Sequence, residues 1–171
     1  MPETSYGWES ISRLLADDLE DIAIEHWWEV ALDKGRVPLN PDWALYQQLE
    51  RIGVFKAFVC RVDGALAGYV WFFLNDHIHY KTLLHATCDV FYLRPGMRRG
   101  LTGYTLFRLA EKALAQVAKE RGRKMVRISL AEKLHLRAKL QSASGKTTIG
   151  RMFERLGYKP VETAYWKLVE V

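Results

Sequence analysis

A strand–helix–strand unit in the middle of the chain constrains the fold more than any other feature. Residues 83–93 alternate as a strand does, residues 102–121 carry apolar side chains at helical spacing, and residues 124–130 return to a strand pattern. Two strands joined through a helix pair in parallel by a right-handed crossover. The sequence therefore predicts a sheet that contains a parallel pair covered by a helix.

The segments on either side of this unit complete a mixed architecture. Helical spacing precedes it, the turn dipeptide Asp63-Gly64 joins two alternating segments as in a hairpin, and a helix and a strand follow it. The predicted helices are residues 8–34, 41–52 and 147–156, and the further strands are residues 54–62, 65–74 and 161–169. We expect an α+β (mixed α/β) fold with one twisted, mostly antiparallel sheet, a central parallel crossover and flanking helices.

Charge is distributed unevenly along the 171 residues. Residues 1–50 hold 3 Lys and Arg against 11 Asp and Glu, a net charge of −8, whereas residues 51–171 hold 22 against 9, a net charge of +13. Apolar residues make up 49%, enough for the core of one domain of this length. We expect a single domain over 1–171, with an acidic helical front at about 8–53 and a basic core at about 54–171 that favours an anionic partner.

Several classes of protein are excluded by what the sequence lacks. No apolar run has the length of a membrane span, and the first residues do not resemble a signal peptide. Cys60 and Cys88 form no metal or redox motif, which predicts reduced thiols in a cytoplasmic protein, with a disulfide between them as the alternative. His77 and His79 could begin a metal site, but no third ligand follows at a suitable spacing, so we predict none.

The loop between the strand and the helix of the central unit is where we expect chemistry. Arg94-Pro95-Gly96 ends the strand, and the run from Arg98 to Gly103 opens the helix. Backbone N–H groups at a helix N-terminus, together with the helix dipole, bind phosphate, and the arginines add donors. Physical reasoning alone leaves two alternatives, a phosphate site and an ordinary turn with solvated arginines.

This loop resembles the acetyl-CoA signature of the GNAT superfamily of N-acetyltransferases, Gln/Arg-x-x-Gly-x-Gly/Ala, with Arg98 first and Gly103 last. A second stretch, Met152 to Tyr158, resembles the superfamily's helix that ends in Tyr-Glu-x-Leu-Gly-Phe, and the order of elements agrees over most of residues 8–171. Two positions depart from the pattern. Leu101 stands where the first signature glycine is expected, and Phe153, which has no proton to give, stands where many relatives have a tyrosine acid.

The resemblance implies transfer of an acetyl group from acetyl-CoA to a primary amine by direct attack in a ternary complex. The strand before the loop would pair with pantetheine along Phe91, Tyr92 and Leu93 and would give a backbone N–H to the oxyanion. The residues that would hold the pyrophosphate are Arg98, Arg99, Gly100, Leu101, Thr102, Gly103 and Tyr104.

Three residues are candidates for moving protons. Asp89 is the first candidate for the general base, because a carboxylate on a largely apolar strand is costly unless it is paired or functional; the alternative is an ion-paired Asp89. His85 has a pKa better suited to a base, and is alternatively a histidine at the rim. Tyr165, with Tyr158, is a candidate for the acid by residue type alone, and each is alternatively a core tyrosine.

The first helices form much of the acceptor site in GNAT relatives. Glu25, Trp27, Trp28 and Glu29 place aromatic rings beside carboxylates, which suits an amine or ammonium group. Trp28 is in phase with the apolar stripe and is alternatively a core residue, whereas Trp27 falls off the stripe and is the better contact. We expect a small-molecule or protein amine as partner, no nucleic acid and no membrane, and a homodimer is an open possibility because relatives are often dimers.

Two other functions compete with an acetyltransferase. Leu101 and Phe153 favour a GNAT fold with altered chemistry that serves as a CoA-binding or interaction protein. Residues 94–127 hold 10 Lys and Arg against 2 Asp and Glu, which would meet the negative charges of CoA. A nucleic-acid-binding module is the other alternative, although no nucleic-acid motif is present and the acidic front would repel a phosphate backbone. Its phosphate contacts would come from the basic residues of the central helix and its end, Arg108, Lys112, Lys119, Arg121, Arg123 and Lys124.

Overall fold

The computed structural model describes residues 2–98, 100–131 and 148–161, in two compact units, Met1–Leu130 and Ala131–Val171. The strands are β1 (Thr4–Glu9), β2 (Phe55–Val62), β3 (Ala65–Asp76), β4 (Leu83–Leu93) and β5 (Met125–Ser129). The helices are α1 (Ile11–Ala16), α2 (Leu19–Val30), α3 (Trp43–Arg51), α4 (Thr102–Glu120) and, in the second unit, α5 (Thr148–Arg155), with a 3₁₀ turn at Pro95–Met97. Within the described ranges, no helix combines the length and the apolar character that crossing a membrane requires.

The five strands of the first unit form one sheet in chain order, β1-β2-β3-β4-β5. The first four pair antiparallel, and β4 pairs with β5 in parallel after the crossover through α4. The turn between β2 and β3 has positive φ at Asp63 and Gly64, as a two-residue hairpin turn requires. The predicted mixed fold is therefore confirmed. The strand predicted at 161–169 falls, but for its first residue, outside the described part of the chain.

The beginning of the chain differs from the prediction of one helix over residues 8–34. Residues 4–9 form β1, which pairs with β2 from Thr4↔Val62 to Glu9↔Ala57. Two helices follow and are interrupted at Asp17 and Asp18. A strand of six residues is too short to show a clear period, and the apolar residues on the two sides of the break have spacing that resembles one continuous helical stripe.

The buried side chain of Arg61 explains where β1 and α1 end. Its guanidinium donates to the two carboxylate oxygens of Glu9 at 2.8 and 2.7 Å and to Oδ2 of Asp17 at 2.5 Å. A further N–H donates to the carbonyl of Gly64 at 2.8 Å. A buried cation needs such partners, so the ends of β1 and α1 are both held at the β2–β3 turn.

Helices cover both faces of the sheet. One face carries Phe55, Tyr69 and Trp71 in a buried cluster with apolar residues of α1 and α2. The opposite face carries Phe72, whose ring centroid lies 6.2 Å from that of Phe107 in α4. The alternation of side chains along β3 thus separates an α2 face from an α4 face.

Gly68 allows β3 and β4 to approach closely. A Cβ at this position would lie 2.6 Å from the carbonyl oxygen of Tyr92 and 2.6 Å from a methyl carbon of Leu93. Gly68→Ala should therefore lower the free energy of unfolding by about 1–3 kcal/mol, because the backbone contact cannot yield. Gly7→Ala, in β1 with open space around it, is the matched control and should not lower it. Urea unfolding measures both, and equal stability of Gly68→Ala and wild type would contradict this packing.

Candidate active site

The ladder between β4 and β5 ends before β4 does. It runs from Leu83↔Met125 to Thr87↔Ser129, and β4 continues to Leu93. An extended ligand arm can lie beside a strand where its neighbouring strand stops, by adding main-chain hydrogen bonds. The second half of β4, which contains Phe91, Tyr92 and Leu93, is the part of the described sheet where such an arm would fit.

A β-bulge at Asp89 in this second half brings Val90 and Tyr92 to the α2 face. In the register with β3, Val90 lies opposite Trp71 and Cys88 lies opposite Phe72, so Asp89 is the extra residue. Asp89 is exposed. Burial raises the pKa of the Tyr46 hydroxyl in α3, and the negative charge of Asp89 raises it further.

His85 lies within the ladder, before the end at Thr87. Its Nε2 is 3.0 Å from Oγ of Ser129 in β5, and the ring is half-buried. The structure thus binds His85 to the neighbouring strand, while Asp89 stands at the bulge beyond the ladder. Of the two base candidates, Asp89 is the one placed at the second half of β4.

The loop after β4 ends in an open helix N-terminus. Gly100 has a φ of +73°, and α4 begins at Thr102 behind Leu101, whose side chain is 69% exposed. Among the described residues no side chain caps this end, and its first turn holds no acidic residue. The N–H groups of a first turn have no partner within the helix, so this end suits an anion. Arg99 lies outside the described residues.

Arg98 is engaged by α2. Its Nη1 and Nη2 donate to the two carboxylate oxygens of Glu29 at 2.7 and 2.5 Å, and its Nε donates to the carbonyl of Leu93 at 2.6 Å. Its guanidinium carbon also lies 5.2 Å from the centroid of the Tyr92 ring. A residue predicted for the cofactor and one predicted for the acceptor are therefore partners, and direct donation from Arg98 to a phosphate would require an exchange with Glu29.

Arg94 makes a second connection between the loop and α2. Its Nη2 donates to Oδ2 of Asp18 at 3.2 Å, and its Nε lies 3.6 Å from Oε2 of Glu25. The predicted acceptor residue Glu25 is thus also paired with a loop arginine. The acidic front and the basic loop neutralise one another in part.

The two tryptophans of α2 differ from the prediction. Trp28 is 61% exposed, although it was in phase with the predicted stripe, and Trp27 is half-buried. The buried positions of α2 are Leu19, Ile22, Ala23 and His26. The break before Leu19 resets the helical phase, so a stripe counted from residue 8 does not extend to Trp28. Trp28 is the more exposed of the two candidate contacts.

Sequence reasoning missed a buried group under β4. Nδ1 of His26 is 3.0 Å from the hydroxyl of Tyr69, and the His26 ring stacks on Tyr92 with centroids 4.6 Å apart. Burial raises the pKa of both tyrosines, so they stay protonated. The position of His26, four residues after Ile22, was the available signal. This contact ties the predicted pantetheine strand to α2.

The remaining candidates are the two tyrosines considered for the acid and the histidine pair considered for a metal. Tyr165 lies outside the described residues. Phe153 is buried in α5, with its ring centroid 5.7 Å from that of Tyr158, whose hydroxyl is also buried. The rings of His77 and His79 are 5.9 Å apart, and in the described part of the chain no group of three or more His, Cys, Asp or Glu could hold a metal ion.

The fold is that of GNAT-type acetyltransferases. An aminoglycoside acetyltransferase from an uncultured soil metagenomic sample is 11% identical with a TM-score of 0.67, covering 98% of this chain and 99% of that one. A GCN5-related N-acetyltransferase from Ralstonia eutropha JMP134 is 15% identical with a TM-score of 0.66, covering 97% and 99%. A predicted acetyltransferase with acetyl-CoA from Clostridium acetobutylicum is 13% identical with a TM-score of 0.59, covering 98% and 96%.

No protein-family model and no curated protein sequence matches the chain. Because the sequence identities are low, the structural likeness shows the fold alone. It confirms that the chain has the fold that the two GNAT-like sequence motifs predicted.

Cys88 should be unreactive despite its place beside the bulge. Both cysteines are free, the Cys88 thiol lies 3.6 Å from the carbonyl of Val90, and burial raises its pKa to about 12. At pH 8 only about one Cys88 side chain in 10⁴ is then a thiolate, against roughly a quarter for an ordinary thiol. Ellman's reagent at pH 8 should thus react slowly with the native Cys60→Ser variant and rapidly after guanidinium unfolding. Fast native reaction would contradict this environment.

Proposed function

We propose that the protein is an acetyl-CoA-dependent N-acetyltransferase that acts on a primary amine. The observation that carries the proposal is the junction of β4 with α4. β4 continues beyond the end of its ladder with β5. It leads through a glycine-bearing turn into the N-terminus of α4, which is open to an anion. The GNAT fold and the signature from Arg98 to Gly103 support the same proposal, and the free thiols support a cytoplasmic setting.

The residues at this junction suit a CoA pyrophosphate. The backbone N–H groups of Thr102, Gly103 and Tyr104 form the first turn of α4, and the positive φ of Gly100 bends the chain into it. Arg98 and Arg99 add positive charge. The exposed side chain of Leu101 points into solvent, so the departure from the signature leaves the first turn open.

The second half of β4 would hold the pantetheine arm along Phe91, Tyr92 and Leu93. Phe91 is fixed by an edge contact with Phe107, at 5.5 Å between centroids, and Tyr92 by the stack on His26. Acetyl-CoA would supply the thioester here. The amine would form the new N–C bond at the acetyl carbon and lose its proton, and the C–S bond would then break to release CoA, whose thiolate gains a proton.

Asp89 is the proposed base for the amine proton. A lysine-type amine has a pKa near 10, so a nearby acceptor must take its proton before or during attack. The bulge presents the Asp89 carboxylate at the second half of β4, whereas His85 is bound to Ser129. Cys88 remains a thiol, which supports direct transfer without an acyl-cysteine step. Tyr165 stays the proposed acid.

The buried Phe153 in α5 favours a second candidate, a CoA-binding protein without turnover. Phenylalanine cannot donate the proton that a tyrosine gives in many relatives. Acetyl-CoA binding without acetyl transfer to any amine of a broad panel would support that candidate over the enzyme.

Gly103→Asp should abolish acetyl-CoA binding. The substitution adds a side chain and a negative charge where the pyrophosphate would bind, and an acidic residue in a first turn stabilises a helix, so the fold should persist. Ala115→Glu, an exposed position of the same helix, adds the same charge roughly 18 Å further along and is the matched control. Thermal shift with acetyl-CoA and isothermal calorimetry measure both variants.

Unchanged acetyl-CoA affinity of Gly103→Asp would refute the placement of the pyrophosphate. A wild-type protein that binds an oligonucleotide and shows no thermal shift at saturating acetyl-CoA would refute the enzyme and favour the nucleic-acid module.

A further inference from the structure

The backbone carbonyl of Leu93 points toward the side of β4 on which the ladder with β5 has ended. The backbone N–H of Arg94 donates to the carbonyl of Ala67 in β3 at 2.9 Å. Because the described peptide bonds are all trans, the C=O of Leu93 in the same peptide unit points the opposite way, away from β3. The ladder with β5 ends at Thr87, so no described strand pairs with Leu93 on that side. This carbonyl is therefore a main-chain acceptor that a pantetheine amide would use.

The side chain of Arg98 already occupies this acceptor. Its Nε donates to the Leu93 oxygen at 2.6 Å, while Nη1 and Nη2 donate to the two carboxylate oxygens of Glu29 at 2.7 and 2.5 Å. Because the guanidinium is planar, these three bonds fix it in front of the carbonyl. We call this arrangement of Arg98 on Leu93 and Glu29 the arginine latch.

The arginine latch has a strength that a ligand can overcome. The side chains of Arg98 and Glu29 are 37% and 34% exposed, so water and salt reach the ion pair and weaken it. Asp18 and Glu25, the other acidic residues that contact the loop, lie against Arg94 instead. Glu29 is therefore the carboxylate that the structure shows holding Arg98.

A pyrophosphate is a ligand group that can draw Arg98 out of the arginine latch. Arg98 lies four residues before Thr102, the first residue of α4, whose N-terminus suits an anion. A pyrophosphate at that end offers anionic oxygens to the guanidinium in exchange for Glu29. A pantetheine amide is uncharged and offers no such exchange. Its binding alone would lose the contacts of the latch without replacing them.

We infer that Arg98 makes the cofactor site selective for pantetheine ligands that carry a pyrophosphate, because it masks the carbonyl of Leu93 until a pyrophosphate removes it. The inference rests on the proposed function and gives Arg98 a specificity-determining role within it. A ligand without phosphates binds only the fraction of molecules in which the latch is open, and its apparent affinity falls by that fraction. Acetyl-CoA opens the latch itself, because its pyrophosphate binds the guanidinium that the latch uses.

Binding of S-acetylpantetheine to the full chain tests this inference. This probe has the thioester arm of acetyl-CoA and no phosphate, and competition with acetyl-CoA or calorimetry gives its dissociation constant. Arg98→Leu removes the latch and should tighten S-acetylpantetheine binding by about threefold to tenfold. Acetyl-CoA should gain less, because this variant also loses a cation at the pyrophosphate. The preference for acetyl-CoA over S-acetylpantetheine should therefore fall by about threefold or more.

Variants of two glutamates in α2 separate the latch from net charge. Glu29→Gln weakens the hold on Arg98 and should tighten S-acetylpantetheine binding by about twofold or more. Glu20→Gln, at an exposed position of the same helix, removes the same charge roughly 13 Å away along the axis. It is the matched control and should leave the affinity for S-acetylpantetheine unchanged.

Salt provides a test on the wild type that does not depend on the folding of Arg98→Leu. Raising NaCl from about 0.1 to about 1 M screens the partly exposed pair of Arg98 with Glu29. The wild type should then bind the uncharged S-acetylpantetheine about twofold more tightly or better. Glu29→Gln should show a smaller gain, because its latch is already weakened.

The outcomes separate this inference from the proposed function. If the wild type binds acetyl-CoA but Arg98→Leu binds S-acetylpantetheine no more tightly than the wild type, the inference is overturned and the acetyltransferase stands. Undetectable S-acetylpantetheine binding in both proteins, or an equal gain in Glu20→Gln and Glu29→Gln, overturns the inference in the same way. Absence of acetyl-CoA binding to the wild type overturns the proposed function, and the inference with it.

Discussion

One extra residue in β4 determines which side chains the candidate site contains. Because Asp89 has no opposite residue in β3, Cys88 and Phe91 both face α4, while Val90 and Tyr92 face α2. A strand without the bulge would exchange the faces of every residue after Asp89, since side chains alternate with a period of two. The stack of Tyr92 on His26 depends on this irregularity.

The uneven charge of the chain is expressed in the fold as ion pairs between α2 and the loop after β4. Arg94 and Arg98 come from the basic core, and their partners come from the acidic front. Pairs that are about one-third exposed contribute at most about 1 kcal/mol each. Their consequence is mainly geometric, since they hold the loop against α2 and leave the first turn of α4 open.

The sequence predicted the elements with long, regular periods and missed those that depend on tertiary contacts. The hairpin, β4, α4 and the parallel crossover were all predictable, because each repeats its pattern over many residues. The break before Leu19 depends on Arg61, which lies more than forty residues away along the chain, and a bulge leaves no local signal. Within the site, the signature loop was predictable, whereas His26 resembles an ordinary core residue until Tyr92 of β4 is placed beside it.

α2 holds the proposed pantetheine strand and the proposed pyrophosphate loop through one turn of helix. His26 stacks on Tyr92, and Glu29, three residues later on the same helical face, binds Arg98. The guanidinium of Arg98 in turn lies 5.2 Å from the centroid of the Tyr92 ring. A phosphate that drew Arg98 away from Glu29 would therefore act on the same turn of α2 that fixes Tyr92. Binding of a phosphate at the loop and the position of the second half of β4 are thus physically linked through α2, the helix that also carries the predicted acceptor residues.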